Sequence, residues 1–457
     1  MERSAELCER LVAALGREAV KTAIEDLVAY SGEARQPGMQ PVAVVLPSEA
    51  REVSAVVGIA HEFAAPIVAR GAGTGLCGGA VPTRRGILLS FARMNRVLAL
   101  DARNRRVRVQ PGATVRALGA VVQECGLFFG PDPSSGAVAT LGGSVATNAG
   151  GPRTNAYGAM AEHVLALEVV LDDGTIVELD RDDAGYDLLA ALVGSEGTLG
   201  IVTALELRLL PLPASTRLAL GAFADFERAL SATLAADANA LTSLQIVDVT
   251  ILRALDAYGR LGVPEGTRAL VVAETSGERD DAAANEAALV RLFGERDALW
   301  YRLVGDAERP AVRTFLDAAF GALGRVAPNS AILDLCVPRT AMPEAFLSIE
   351  TAVRSAQVAF GMLVRAGEGV LQPVLTYNRR DRRASEAVAS ASEAITSACF
   401  ALGGSVGAEH GFGSVHRSAF SDGCESATLD ALRRVRDAFA PSRALNPGKI
   451  LPEAAWP

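Results

Sequence analysis

What most limits the folds open to this chain is where its glycines fall. The segment Gly130–Gly158, GPDPSSGAVATLGGSVATNAGGPRTNAYG, is rich in glycine and small residues and shows almost no regular hydrophobic period. A loop of that length inside a compact domain usually carries function. Two shorter segments share its character, RGAGTGLCGG (Arg70–Gly79) and VGSEGTLG (Val193–Gly200). The regular elements of the first half are confined to short runs between these loops.

Those runs read as mixed α/β. After an amphipathic helical N-terminus, PVAVVLP (Pro41–Pro47) and APIVAR (Ala65–Arg70) are apolar strands. Between them, SEAREVSAVVGIAHEF opens with a Ser cap and has Glu52 near its first turn, as a helix does. GILLSFARM and RVRVQPGATV continue the strands, and RALGAVVQECGL is a helix ending near Gly126. VLALEVVLDDGTIVEL is a hairpin turning at Asp173–Gly174. Pro211 and Pro213 then mark the clearest domain boundary. From about 214 to 400, helices such as FADFERALSATLAADA alternate with strands such as TRALVVAET and SAILDLCVP, as in a sheet covered by helices. No fixed-period repeat is visible.

With 457 residues the chain is too long for one ordinary core and suits two or three domains. A net charge of -9 argues against a nucleic-acid binder, and the basic run RNRRVRV (Arg103–Val109) reads as a solvated hairpin. The six cysteines are scattered without C-x-x-C, which disfavours a disulfide framework or a cysteine-rich metal or iron–sulfur site. No apolar run is long enough for a transmembrane segment. The N-terminus is charged throughout, with no signal-peptide core, so the expected compartment is the cytoplasm.

Bare N–H groups in a loop such as Arg70–Gly79 form a concave nest for phosphate. The dinucleotide fingerprint G-x-G-x-x-G would need glycine at Leu76, and no Lys-Ser/Thr follows to make a Walker A loop. Alone, this loop is as readily a tight turn. The second loop, Gly142–Gly151, adds the hydroxyls of Ser144 and Thr147 and the amide of Asn148, suited to ribityl or ribose oxygens. The third adds Glu196. Glycine-rich loops one αβ unit apart suggest one extended ligand held from both sides.

In chain order, PVAVVLPSEAREVSAVV, ARGAGTGLCGGA, PDPSS, GGSVATNAGGPRTNAYG, GYDLLAALVGSEGTLGIVT, EHGFG and LNPGKI resemble the FAD-linked oxidases of the vanillyl-alcohol oxidase superfamily. The branch they most resemble holds the glycolate oxidase catalytic subunit and the D-lactate and D-2-hydroxyglutarate dehydrogenases. The resemblance implies an α+β fold: a two-subdomain FAD-binding domain of the vanillyl-alcohol oxidase type and an α+β cap domain with an antiparallel sheet. It divides the chain into a helical segment 1–40, an FAD-binding domain 41–213, a substrate cap 214–402 and a segment 403–457 that returns to the FAD domain. It implies that Gly71, Gly73, Thr74, Gly75 and Gly78 hold the FAD pyrophosphate, with Arg70 and Leu76 in the same cofactor loop. Pro131, Ser134, Ser135, Gly142, Ser144, Thr147, Asn148, Gly151, Gly197 and Ile201 would line the rest of the FAD, and Glu196 and Asn446 join the cofactor set. Relatives that attach FAD covalently use His or Cys in these loops. Cys77 lies off the usual anchoring position, so non-covalent FAD is expected.

Flavin oxidation of a 2-hydroxy acid needs a grip on the carboxylate, a base for the hydroxyl proton and a C–H aimed at the flavin. Of four histidines, His410 in AEHGFG is the leading base. His61 and His163 read as structural and His416 as solvated. The resembling dehydrogenases bind a divalent metal through two histidines of H-A-G-D-G-N-x-H and the glutamate of E-H-G. Laid over that segment, RAGEGVLQ puts Arg365 at the first histidine, Val370 at the asparagine and Gln372 at the second histidine. Only Glu409 is retained. A guanidinium repels a metal ion and cannot ligate it, so no metal is expected. Arg365 would then stand in for the metal charge, pairing with Glu409 or gripping an anionic substrate, or else form a structural ion pair with Glu409 in a site that no longer works. The substrate-gripping arginine of the relatives falls near Leu316, with Arg313 and Arg325 close by, and a lysine position falls at Ile332.

The expectation is a cytoplasmic FAD-dependent oxidoreductase that oxidises a small 2-hydroxy acid or related alcohol without a metal. His410 is its base, Arg365 its anion-binding group and Glu409 the orienter. Electrons would pass to an iron–sulfur partner subunit, a quinone or oxygen, and such a partner could place the protein at the periphery of the inner membrane. The alternative is an FAD-binding, non-catalytic or electron-relay subunit of a glycolate-oxidase-like complex.

Overall fold

The computed structural model describes residues 2–33, 36–256, 258–259 and 261–452. The chain forms two compact units. The first comprises Met1–Gly150, Gly158–Leu212 and Glu409–Pro457, the second Gly151–Tyr157 and Pro213–Ala408.

The first unit holds two main sheets. In the four-stranded sheet the order is Val20–Lys21, Ala43–Val45, Ile87–Ser90, Ile67–Arg70, parallel except for the first pair. The helix Ala50–Phe63 makes the crossover that parallel strands require. It buries Val53, Val56, Val57 and Ala60 in one core with Ile67, Ile87 and Leu89. The helix begins two residues after the expected cap. Ser48 instead donates its N–H and its hydroxyl to the Glu52 carboxylate, at 2.6 and 2.9 Å, which fixes the entry to the helix from outside. The strand Val20–Lys21, absent from the sequence reading of a helical N-terminus, pairs with Val44 and Val45 and closes the edge of this sheet.

The second sheet of this unit is antiparallel: Val97–Asp101, Arg106–Val109, Ile201–Arg208, Val164–Val170, Ile176–Asp180. The basic run lies on its Val97–Val109 hairpin, and the Asp173–Gly174 turn joins its last two strands, with Gly174 at φ +84°. Its core gathers Val107, Val109, Leu141, Val145, Leu167 and Leu205.

The second unit is built on one nine-stranded antiparallel sheet. Its path runs Trp300–Val304, Ser215–Phe223, Ala269–Gly277, Ser243–Asp248, Ala359–Arg365, Val370–Tyr377, Leu335–Cys336, Ser405–Val406, and Asn329–Ile332 pairs with Val370–Tyr377. One face buries Leu218, Leu220, Val272, Leu363 and Val374 against the helices Val249–Leu255 and Arg309–Asp317. On the other face Phe293 of Arg279–Glu295 packs flat against Gly221 and edge-on to Phe223. Among the described residues no helix is long and apolar enough to cross a membrane.

Candidate functional site

The first unit folds its glycine loops around an open cleft of about 50 Å³. Arg70 and Gly71 line it from the first loop, Thr140, Gly142 and Gly143 from the second, and Gly197 and Ile201 from the third. The close approach needs glycine at specific places. A Cβ on Gly71 would lie 2.1 Å from Thr140 Oγ1, and one on Gly142 2.5 Å from Pro111 Cβ. Leu76 and Thr74 do not line the cleft, nor do Pro131, Ser134, Ser135, Ser144, Thr147, Asn148 and Asn446. Gly151 belongs to the second unit.

The second loop is not irregular throughout, as the sequence suggested. Leu141–Ala146 is a helix whose cap, Thr140, accepts the Gly143 N–H at 3.3 Å. Its length leaves Thr147 and Asn148 with internal partners. The Thr147 hydroxyl donates to Gly143 O at 3.2 Å, and Asn148 Oδ1 accepts the Ala161 N–H at 2.9 Å.

Charged groups gather under the first loop. Arg70 is buried, its guanidinium lies over the Tyr30 ring, and Nη1 finds no hydrogen-bond partner among the described residues. The same guanidinium fills the space where Gly73, at φ +67°, would carry a Cβ. Burial lowers the Arg70 pKa, with Glu33 opposing. The Glu33 carboxylate accepts the N–H groups of Gly78 and Ala80 and is itself pushed up by burial, against the pull of those N–H groups, Lys449 and Arg70. Lys449 is buried and donates to Val81 O at 2.6 Å. Neither Glu33 nor Lys449 was singled out from the sequence. Each joins the loop across a long stretch of chain, and no local pattern marks such a contact.

The third loop is tied to the C-terminal return. Glu196 Oε1 accepts the Phe412 N–H at 2.6 Å, and Oε2 accepts the Gly413 N–H at 2.8 Å. Asn446 donates to Gly79 O at 2.9 Å and to Glu196 O at 2.6 Å, drawing the first and third loops together. Glu409 and His410 stand half-buried at the start of this return. His163 is buried, edge-on to Phe129, and His61 sits on its helix 3.6 Å from Asp172, both structural positions. His416 is not solvated. It is 5% exposed, because its N–H closes a turn on Phe412 O and it precedes the helix Arg417–Gly423.

In the second unit, Arg365 ends the strand Ala359–Arg365 and is 3% exposed. Directly paired antiparallel residues share a sheet face, as do residues two apart on one strand. Glu274 pairs with Ser243, Gln245 with Arg365 and Leu363 with Gln372, so Glu274, Gln245, Arg365 and Gln372 lie on one face. Gln372 is wholly buried and donates to Asp334 Oδ1 at 3.0 Å. Glu274 accepts Arg153 Nε at 2.7 Å and Arg313 Nη1 at 3.4 Å. Burial lowers the Arg313 pKa, with the Arg365 charge adding to it and Asp317 opposing, which places the two guanidinium groups within electrostatic reach. Arg325 lies over the Tyr258 ring instead. Among the described residues no group of three or more His, Cys, Asp and Glu side chains is gathered as a metal site.

Residues 41–180 match the FAD binding domain family, and residues 212–450 match the C-terminal domain of FAD linked oxidases. The chain is 32% identical to the glycolate oxidase subunit GlcD of Bacillus subtilis, over 98% of this chain and 97% of that one. It is 31% identical to a D-lactate dehydrogenase of Archaeoglobus fulgidus, covering 89% of this chain and 91% of that one. Among solved structures, p-cresol methylhydroxylase with bound substrate superposes with a TM-score of 0.81 at 17% identity, over 98% of this chain and 97% of that one. That likeness is one of fold.

Proposed function

The chain belongs to the family of FAD-linked oxidases, and from that premise we propose that it oxidises a small 2-hydroxy acid of the glycolate or D-lactate kind without a metal. FAD is its cofactor. The residues of the first unit fit such a group. The cradle at Gly71 and Gly142 admits no side chain, and the buried Arg70 Nη1 lacks a hydrogen-bond partner among the described residues, which suits an anion. Arg70, Gly71, Gly73, Thr74, Gly75, Leu76 and Gly78 form the pyrophosphate loop, and Gly142, Gly197 and Ile201 approach the remainder. When bound, FAD supplies the two-electron acceptor.

The observation that carries the metal-free reading is the donor set of the second unit. Arg365 and Gln372 stand at the two histidine positions of the resembling dehydrogenases, and Gln372 donates its amide N–H to Asp334. A permanent cation and a neutral amide make a poor metal site. Arg365 instead offsets the substrate carboxylate, and a ring nitrogen of His410 takes the hydroxyl proton as the acid becomes a 2-oxo acid. Glu409 orients His410. The electrons then leave to a partner iron–sulfur subunit or a quinone.

The test is a visible spectrum of the purified protein under nitrogen, with chelator present and a panel of 2-hydroxy acids added. Bleaching by one of them is the expected result, and Arg365→Ala should keep FAD and lose that bleaching. Flavin that stays oxidised with the whole panel would favour the second reading, a non-catalytic FAD subunit, which the loss of both histidine ligands also supports. Stoichiometric zinc or manganese in elemental analysis would overturn the metal-free reading.

A further inference from the structure

Glu196 belongs by sequence with the cofactor residues, yet its carboxylate is committed elsewhere. It is 4% exposed and receives two consecutive N–H groups, Phe412 at 2.6 Å and Gly413 at 2.8 and 3.1 Å. The turn it holds is built for that contact. Gly411, at φ +81°, passes so close that a Cβ would lie 2.7 Å from Glu196 Oε1. Gly413, at φ +53°, would bring a Cβ within 2.0 Å of Cys77 O, which also receives the N–H groups of Ser414 and Val415. The third loop is anchored in turn, since the Glu196 N–H donates to Ala146 O at 2.7 Å and its C=O receives the Asn446 amide. His410 is the one titratable ring within Glu409–Gly413.

We propose that Glu196 is the positioning residue for His410: by fixing the turn Glu409–Gly413 through two adjacent N–H groups, it sets where the proton-accepting ring stands. The inference rests on the reading of His410 as the base. Two features of the site suit the task. A carboxylate is the one side chain that offers acceptors on both oxygens to neighbouring N–H groups. Lys449 supplies a compensating charge, while Glu33 opposes it and burial raises the pKa of the group. In Glu196→Gln one of the two accepting oxygens becomes an NH2 donor that faces an N–H, which loosens the turn, and Glu196 itself does not line the cleft.

The experiment uses the FAD-loaded full chain as wild type, Glu196→Gln and Glu196→Asp. With four histidines in the chain, the ring carbons can be labelled and resolved by NMR, and His410→Gln identifies the one of interest. In Glu196→Gln the His410 resonance should shift or broaden while those of His61 and His163 stay in place. FAD content should match wild type. The limiting rate of flavin reduction by the acid that bleaches wild type should fall by about 100-fold, the scale of a misplaced catalytic group, with apparent substrate affinity changed by less than about 3-fold. Glu196→Asp keeps the charge and should fall between the two, which covers the case of a Gln variant that does not fold. An unmoved His410 resonance, or an unchanged limiting rate in a wild type that reduces, would overturn the proposal. If no acid reduces the wild-type flavin, the reading of the function fails, and the NMR comparison alone then sustains or overturns the role of Glu196.

Discussion

Glu196 also makes the first unit sensitive to pH in a direction that can be worked out. Burial pushes its pKa from 4.5 to about 7, although the Phe412 and Gly413 N–H groups and Lys449 pull it down. A carboxyl raised on folding binds a proton more tightly in the native state than in the unfolded one. Its favourable contribution is therefore complete below 4.5 and is lost as the pH rises through about 7. With about 1.4 kcal/mol for each pKa unit, the contribution changes by about 2–3 kcal/mol between pH 5 and pH 8. The perturbation is Glu196→Gln, which removes the titration; the cost of the loosened turn does not vary with pH and drops out when the two pH values are compared. Because the chain has two units, urea unfolding is best followed by pulsed amide exchange in Ile201–Arg208, the central strand of the antiparallel sheet of the first unit. Wild type minus variant is the quantity to compare, since other titrating groups cancel. Wild type should gain on the variant by about 2–3 kcal/mol at pH 5 relative to pH 8. A difference that does not change with pH, or that grows toward pH 8, would refute the reasoning.

Two further outcomes follow from close packing. Gly71→Ala places a methyl 2.1 Å from Thr140 Oγ1 and should weaken FAD binding by at least about 10-fold in a fluorescence titration. Adding Thr140→Ala should recover part of the loss, and wild-type affinity in the single variant would refute the cradle. Phe293→Ala removes a ring that is 1% exposed, stacked on Gly221 and edge-on to Phe223, so the second unit should lose about 3–5 kcal/mol in denaturant unfolding while FAD binding stays intact.

The elements with a strong local signal were legible in the sequence, and the contacts that assemble them were not. The Ala50–Phe63 helix and the Asp173–Gly174 hairpin each carry their cause in neighbouring residues, a 3.6 period or a turn dipeptide. The helix Leu141–Ala146 was hidden because two glycines and a serine lower its propensity, and burial of Leu141 and Val145 with the Thr140 cap outweighs that cost. His416 looked solvated because nothing adjacent predicts that its turn folds back on Phe412. The same gap explains the charged groups. Glu33, Glu196 and Lys449 are polar residues in loops, and only the fold reveals that the Lys449 charge bears on both carboxyls and that of Glu33 on Glu196. Arg365 marks the opposite case. Its departure from the histidine of the resembling dehydrogenases is plain in the sequence, while its meaning depends on a face it shares with Glu274, Gln245 and Gln372. On that face Glu274 already receives both Arg153 and Arg313, and Arg365 adds a third guanidinium within electrostatic reach of Arg313. Carboxylates stand among these cations as well, Asp317 within electrostatic reach of Arg313 and Asp334 receiving the Gln372 amide N–H, and only the fold brings these charges together.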